Sequence, residues 1–585
     1  MKILLAAINA KYIHSNPAIY SLRACVKEEH RDSVFLAEYT INQYAGDILA
    51  DLYRQRPDVI GFSVYIWNRT IVEELLRELP KVLPEAEIWL GGPEVSYGCE
   101  ELLKDYPVVK GVIIGEGEDT FREVVCHYLE GEEAYPLRDI RGLYLRSGYT
   151  PVREAADLSR LPFLYEDPAP FANRIIYYES SRGCPYRCSY CLSSLEKQVR
   201  FRKMELVKKE LRFFLDQKVA QVKFIDRTFN CHHAHAREIW QFLKENDNGV
   251  TNFHFEISAD ILQEEEIELL GTFRPGLAQL EIGVQTANPD TLAAIHRVSD
   301  IDRLERIVGA LRKGNNIHLH LDLIAGLPYE DIESFGRSFD RVYGMKPHQL
   351  QLGFLKVLKG SEMEEKAEEF HIVYRDKPPY EVLYTRWLSY EDVLQLKGIE
   401  EMVELYYNSG QFTHTLPVLE QAFSSPFAMY RTLAEYYRAE GYFINSPSRT
   451  YRYEILLKFA RQTDGAREAL YRELLTFDYY LRENAKSRPD FAPDREEYRE
   501  FVRSFYRREE ETGEYLPAYR GYDRKQLSKM THLEPFTYPV WEEGAGNAAE
   551  GRPAGFVLFD YRCRSLLTGA ASVSVISAAD SGKEN

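Results

Sequence analysis

RIIYYESSRGCPYRCSYC, residues 174–191, is the stretch whose reading decides the fold. It begins as an apolar strand, RIIYYE, and runs directly into a loop where Cys184, Cys188 and Cys191 stand at C-x3-C-x2-C spacing. Downstream, VKFID, FHFEIS, LAQLEIGV, HLHLDLIAG and QLQLGFLKV repeat the strand pattern with helical periodicity between them. Six βα repeats predict an open, partial (β/α)6 barrel over residues 173–364. In such barrels the loops after the strand C-terminal ends carry the chemistry, and the cysteine loop occupies the first of these places.

Three thiolates crowded on one loop point to metal or catalysis rather than to a disulfide framework. Iron–sulfur clusters take cysteine ligands, normally four, so three leave one iron of a 4Fe-4S cubane open. S-adenosylmethionine (SAM) needs such an iron: its amino and carboxylate groups chelate the metal while an electron from the cluster cleaves the sulfonium bond. A zinc site would call for further paired cysteines or histidines at such spacing, and the one such pair, His232 and His235, opens a helix after a strand.

With Tyr190 just before the third cysteine, this motif resembles that of the radical SAM superfamily. The resemblance departs from the commonest pattern after the second barrel strand, where FIDRTFN stands in place of a GGE triplet. There Asp226 and Asn230 are the candidates to contact the SAM amino group. Glu256 on FHFEIS, Glu281 and Gln285 in EIGVQT, and Asp322 and Gly326 in LDLIAGLPYE resemble the later strand-end motifs that line the SAM pocket. Strand-end polar residues also cap helices and fix turns, so each of these has a structural alternative.

Bulk properties set the frame. A chain of 585 residues exceeds one ordinary core and predicts several domains. Its 45% hydrophobic and 28% charged residues, with a mean hydropathy of −0.40, describe a soluble globular protein. No stretch approaches the roughly 20 apolar residues of a membrane span, and the apolar start MKILLAAINA lacks a basic n-region and a cleavage site, so it reads as a first strand and the protein as cytoplasmic. A net charge of −18 argues against a nucleic-acid partner, which wants a basic face.

Before the barrel, ILLAAI, VFLAEYTI, DVIGFSVYI, EIWLGG and GVIIGEGE alternate with helical runs and predict a doubly wound, Rossmann-like α/β domain over residues 1–135. A linker with prolines and acidic residues fills 136–172. A doubly wound domain ahead of a radical SAM barrel resembles the cobalamin-dependent radical SAM enzyme family. Residues matching its cobalamin-binding pattern are Ser63, Gly91, Gly92, Gly115, Glu116 and Gly117, on the strand ends where open α/β sheets bind ligands. YIHSNP places His14 where some cobalamin domains carry D-x-H-x-x-G, but Tyr12 and Pro17 replace the Asp and Gly. A metal-ligating histidine wants a second acceptor such as that Asp, so the resemblance implies cobalamin held without a histidine ligand, and His14 reads as a loop residue near the corrin or a structural one. Cys25 and Cys126 fall on apolar helix faces and read as core thiols, not as a second cluster, and NCHHAH (230–235) reads as structural or pocket-lining.

The resemblance implies that the cluster reduces SAM to a 5′-deoxyadenosyl radical, which takes hydrogen from an unactivated carbon of an unidentified substrate, and that methylcobalamin then delivers a methyl group. It also implies an external one-electron reductant of the flavodoxin or ferredoxin type. Alternatives are cobalamin-dependent cyclisation or rearrangement without methyl transfer, and a non-catalytic cobalamin or redox sensor. Residues 365–568 read as a helical C-terminal domain, with one helix opening at Ser389 and Asp392 and stopping at Gly410. For this domain the plain expectation is a helical scaffold, and the sharper one a closing lid or substrate-selecting surface over the barrel. The tail 569–585 is small and polar and reads as disordered.

Overall fold

The computed structural model describes residues 1–196, 198–485, 487–542 and 555–576. Seven strands form the first sheet: β1 (Ile3–Asn9), β2 (Val34–Thr40), β3 (Val59–Ser63), β4 (Glu87–Gly91), β5 (Val109–Ile113), β6 (Leu143–Leu145) and β7 (Gly148–Tyr149), in the order β2-β1-β3-β4-β5-β6-β7. The first five are parallel. Every residue of β1 is buried, as a strand covered by helices on both faces requires. The sheet runs past the expected boundary at 135, because the hairpin β6–β7 adds antiparallel to β5.

The second sheet is the partial barrel: β8 (Ile176–Tyr178), β9 (Gln221–Phe224), β10 (Asn252–Ile257), β11 (Ala278–Gln285), β12 (His318–Ala325) and β13 (Gln349–Phe354), all parallel and in sequence order. Period-two alternation sends Phe253, Phe255, Leu280, Ile282, Leu319 and Leu321 into the helix-covered core. The intervening positions bring charged side chains together on the inner face.

Both barrel edges are covered, which is how sheets avoid unpaired backbone. At β8, Ile175 N donates to the Ile13 carbonyl at 2.9 Å, so the loop after β1 forms a bridge to the barrel. At β13, the Asn408 side chain takes Leu350 N and gives its amide to Leu350 O, each at 2.9 Å. Asn408 ends a π-helical turn (Val403–Asn408) continuing the helix Tyr390–Met402, whose Ser389 and Asp392 form the expected capping box and beyond which Gly410 turns the chain at φ +60°.

The C-terminal region is therefore not a separable lid. Most of its buried residues, among them Leu396, Tyr406, Tyr430 and Leu474, belong to one continuous core with the barrel, while Phe505, Leu516, Leu533 and Phe556 form a smaller cluster of their own. Nor is it wholly helical: β14 (Thr531–Phe536), β15 (Gly555–Arg564) and β16 (Ala571–Ile576) form an antiparallel sheet. The expected disordered tail, 569–585, thus contains strand β16, where ASVSVI finds a partner in β15, and its last residues, 577–585, lie outside the described ones. Ending the chain near residue 388 is expected to yield aggregated or iron-poor protein rather than a competent barrel without its lid, because a large apolar face and the β13 edge would be exposed. Size-exclusion chromatography with iron analysis checks this.

Candidate active site

The C-terminal edges of the two sheets face each other across a cleft of about 890 Å³. Ser63, Gly91, Gly92, Gly115, Glu116 and Gly117 line it from the first domain, and Cys191, Leu192 and Arg227 from the barrel. Its floor runs down between the sheet and the helices Pro17–Cys25 and Glu118–Glu130, past Leu5, Gly61, Trp89, Phe121 and Val124. An apolar slot of this kind accepts a flat aromatic group. A second cavity of about 520 Å³ adjoins it, sharing Tyr65, Trp67, Arg182 and Arg227, and His14 lines this one.

Not every expected first-domain residue is free for a ligand. Glu116 accepts from Ala156 N at 2.8 Å and pairs with Arg182 at 3.2 Å and with Arg200, so it ties the domains together. Deleting one side of such partly buried pairs costs on the order of 3 kcal/mol. Gly92 has φ +116°, and a Cβ there would lie 2.4 Å from Val64 O, so the glycine serves close backbone packing rather than the ligand. Gly115, at φ +71° with open space around it, stays on the cleft wall. His14 Nδ1 is engaged by the Tyr177 hydroxyl, which occupies one ring nitrogen.

On the barrel side the three cysteines are free thiols on one loop, Cys188 buried and the other two half-buried. Polar groups approach their sulfurs: Thr228 Oγ1 lies 3.7 Å from Cys184 Sγ, and Arg297 Nη1 lies 3.9 Å from Cys188 Sγ. Three thiols with N–H and O–H donors around them form a donor set suited to an iron–sulfur cluster. Tyr190 packs inward against Ile295, Met363 and Val382, and the Met363 amide donates to Ser189 O at 2.8 Å, so the segment after β13 braces the loop.

Asp226 and Asn230 support this loop from behind. Asp226, 1% exposed, accepts from Ser180 N at 3.0 Å and from the Ser180 and Ser181 hydroxyls at 2.6 Å each. Burial nonetheless raises its carboxyl to about 6, so folding binds a proton between roughly pH 4 and 6 and stability contributed by this group falls as pH rises through that window. Asn230 clamps Ser258 through both amide atoms. Gly326 stands at φ +89°, where a Cβ would meet Val382 at 2.7 Å. These three hold backbone in place; none lines either cavity.

Glu256, Glu281 and Asp322 meet in the barrel lumen with Lys223, His254 and His320. Lys223 Nζ lies 3.7 Å from Glu256 and 3.1 Å from Glu281, His254 lies 2.8 Å from Glu281, and His320 lies 3.0 Å from Asp322. Burial alone would raise Glu281, but His254 and Lys223 hold it at about 2, whereas burial wins at Glu256 and raises it. Gln285, at φ +73°, ends β11 with its Oε1 buried and unpaired. Lys223, His254, His320, Arg227 and Arg297 were missed from the sequence. The two histidines carried a signal, standing two residues before an acid on the same strand face in FHFEI and LHLDL.

A family model described as B12 binding domain matches residues 3–125, and one described as Radical SAM superfamily matches 178–342. The chain pairs a B12-binding domain with a radical SAM domain. That pairing bears out the resemblance to cobalamin-dependent radical SAM enzymes. A third model, described as Protein of unknown function (DUF4080), matches 368–559. The cobalamin-dependent radical SAM methyltransferase TokK of Streptomyces tokunonensis is 26% identical, over 48% of this chain and 44% of that protein. The anaerobic magnesium-protoporphyrin IX monomethyl ester cyclase of Rubrivivax gelatinosus is 23% identical, over 54% and 60%. The chain spans about half the length of the first curated relatives it matches. The solved structure of the cobalamin-dependent SAM radical enzyme OxsB, with aqua-cobalamin and SAM bound, superposes with a TM-score of 0.55 at 16% identity, covering 81% of this chain and 78% of that one. The radical SAM methyltransferase TsrM of Kitasatospora setae gives 0.52 at 17%, covering 65% and 82%. At these identities the structural likeness is one of fold.

Proposed function

We propose that the chain cleaves SAM reductively at a 4Fe-4S cluster held by Cys184, Cys188 and Cys191 and, with cobalamin in the cleft, methylates a carbon of its substrate. The observation that carries this reading is the cleft itself, which runs from the ligand-binding edge of the first sheet to Cys191, so both sites open into one space. When bound, the cluster supplies the electron that breaks the sulfonium bond, and cobalamin carries the methyl group. The protein's own part is to hold and enclose. Ser63, Gly91 and Gly115 offer the ledge for a corrin, and the slot beneath them takes its nucleotide tail. The lumen acids Glu256, Glu281 and Asp322 would supply the carboxylates that hold SAM. Tyr65 and Trp67, stacked at 4.5 Å and 5°, give the second cavity an aromatic wall.

An external one-electron donor of the flavodoxin or ferredoxin type completes the cycle. The cytoplasm is the fitting compartment: all eight cysteines are free thiols, and among the described residues no helix is long and apolar enough to cross a membrane. The similarity to a cyclase keeps radical chemistry without methyl transfer as the second reading. Anaerobic turnover with methyl-labelled SAM distinguishes them. S-adenosylhomocysteine and a labelled product are expected; 5′-deoxyadenosine without any S-adenosylhomocysteine would overturn methylation in favour of the second reading.

A further inference from the structure

We propose that Arg227 selects the substrate, by anchoring an anionic oxygen group, a carboxylate or phosphate, in the second cavity. The proposal rests on the reading that this cleft is the reaction site. Its basis is uneven pairing among the charged side chains. Among the charged side chains lining the second cavity, Glu179 is paired with Arg182 at 2.7 Å and Glu196 with Arg200, while Arg182 is further held by Glu118 at 2.9 Å. Among the described residues the one ion-pair partner of Arg227 is Glu256, at 3.9 Å, and the Arg227 side chain remains 57% exposed.

The backbone under Arg227 is rigid. Asp226 before it is locked by three hydrogen bonds, and Thr228 after it rests on Cys184. From this mount the exposed guanidinium reaches the cavity beside the cysteine loop, and its planar fork suits two-point binding of a carboxylate or phosphate. One helix end contributes the same sign. Asn16 and Pro17, at the start of the nine-residue helix Pro17–Cys25, line the cavity, and no acidic residue in that helix's first turn offsets its positive end. The stacked Tyr65 and Trp67 supply a flat apolar wall for the rest of such a molecule.

The test uses the full-length, reconstituted protein, with inorganic phosphate and acetate as probes and Arg227→Gln and Arg227→Lys as variants. Phosphate is followed by 31P line broadening and acetate by its methyl proton resonance. Saturable broadening in the wild type, weakened about tenfold or more in Arg227→Gln and less in Arg227→Lys, is expected. SAM affinity, iron content and cobalamin absorbance should be the same in Arg227→Gln as in the wild type. Equal broadening in wild type and Arg227→Gln would overturn the proposal. A tenfold loss of SAM affinity in Arg227→Gln would overturn it too, because Arg227 would then hold the SAM carboxylate. Wild-type protein that retains no iron or cobalamin would refute the functional reading separately, since phosphate binding is read without either.

Discussion

Replacing Cys184, Cys188 and Cys191 together with alanine is expected to take the reconstituted protein from about four irons per chain to nearly none and to abolish SAM cleavage. The effect should be ligand loss, not unfolding. Of the three only Cys188 is buried, so truncating their side chains should cost on the order of 1 kcal/mol each at most. Thermal melting of the metal-free forms, which should shift by only a few degrees, separates the two causes. Cys126 and Cys231 provide the control. Cys126 packs within the first domain and Cys231 sits on the turn Phe229–Cys231 behind the loop, and alanine at either should leave the iron complement intact. Full iron in the triple variant would sink the cluster assignment.

Filling the cleft floor is expected to produce the second large effect. Ser63→Tyr and Gly61→Leu each project into the space between the sheet edge and the helix Glu118–Glu130; the nearest atom to a Cβ on Gly61 is the movable Leu5 Cδ2 at 2.9 Å. Cobalamin affinity should fall about 100-fold, equivalent to about 2.7 kcal/mol, while iron content and SAM cleavage to 5′-deoxyadenosine persist. Gly92 is the wrong position for this experiment, because any side chain there collides with Val64 whether or not a ligand binds. Titration of hydroxocobalamin followed by absorbance measures the change. Unaltered affinity in both variants would place the corrin elsewhere.

Much of the architecture was legible before any coordinates. Continuous apolar runs such as ILLAAI can only be strands covered on both faces, and the alternation in FHFEIS and HLHLDLIAG can only put one face of each strand inward. The C-x3-C-x2-C spacing by itself brings three sulfurs onto one loop, and the Ser389–Asp392 capping box is a local hydrogen-bond pattern written within four residues. What the sequence by itself determined is thus whatever depends on near neighbours: the elements, their period and the cysteine loop.

Only the tertiary structure decided which polar residues are spent on the fold and which remain for chemistry. Asp226 and Glu116 look like site acids in sequence, yet Ser180 and Ser181, 46 and 45 residues away, consume the first, and Arg200, 84 residues away, consumes the second. Arg227 looks like an ordinary surface arginine, yet its neighbours leave it as the weakly paired cation lining both cavities. The C-terminal region turned from a lid into part of the barrel core because Asn408 and the helices around it cover an edge 58 residues upstream. The reason is common to all three. A side chain's role is set by which charges and donors surround it once it is buried, and those partners come from segments whose approach no local pattern encodes.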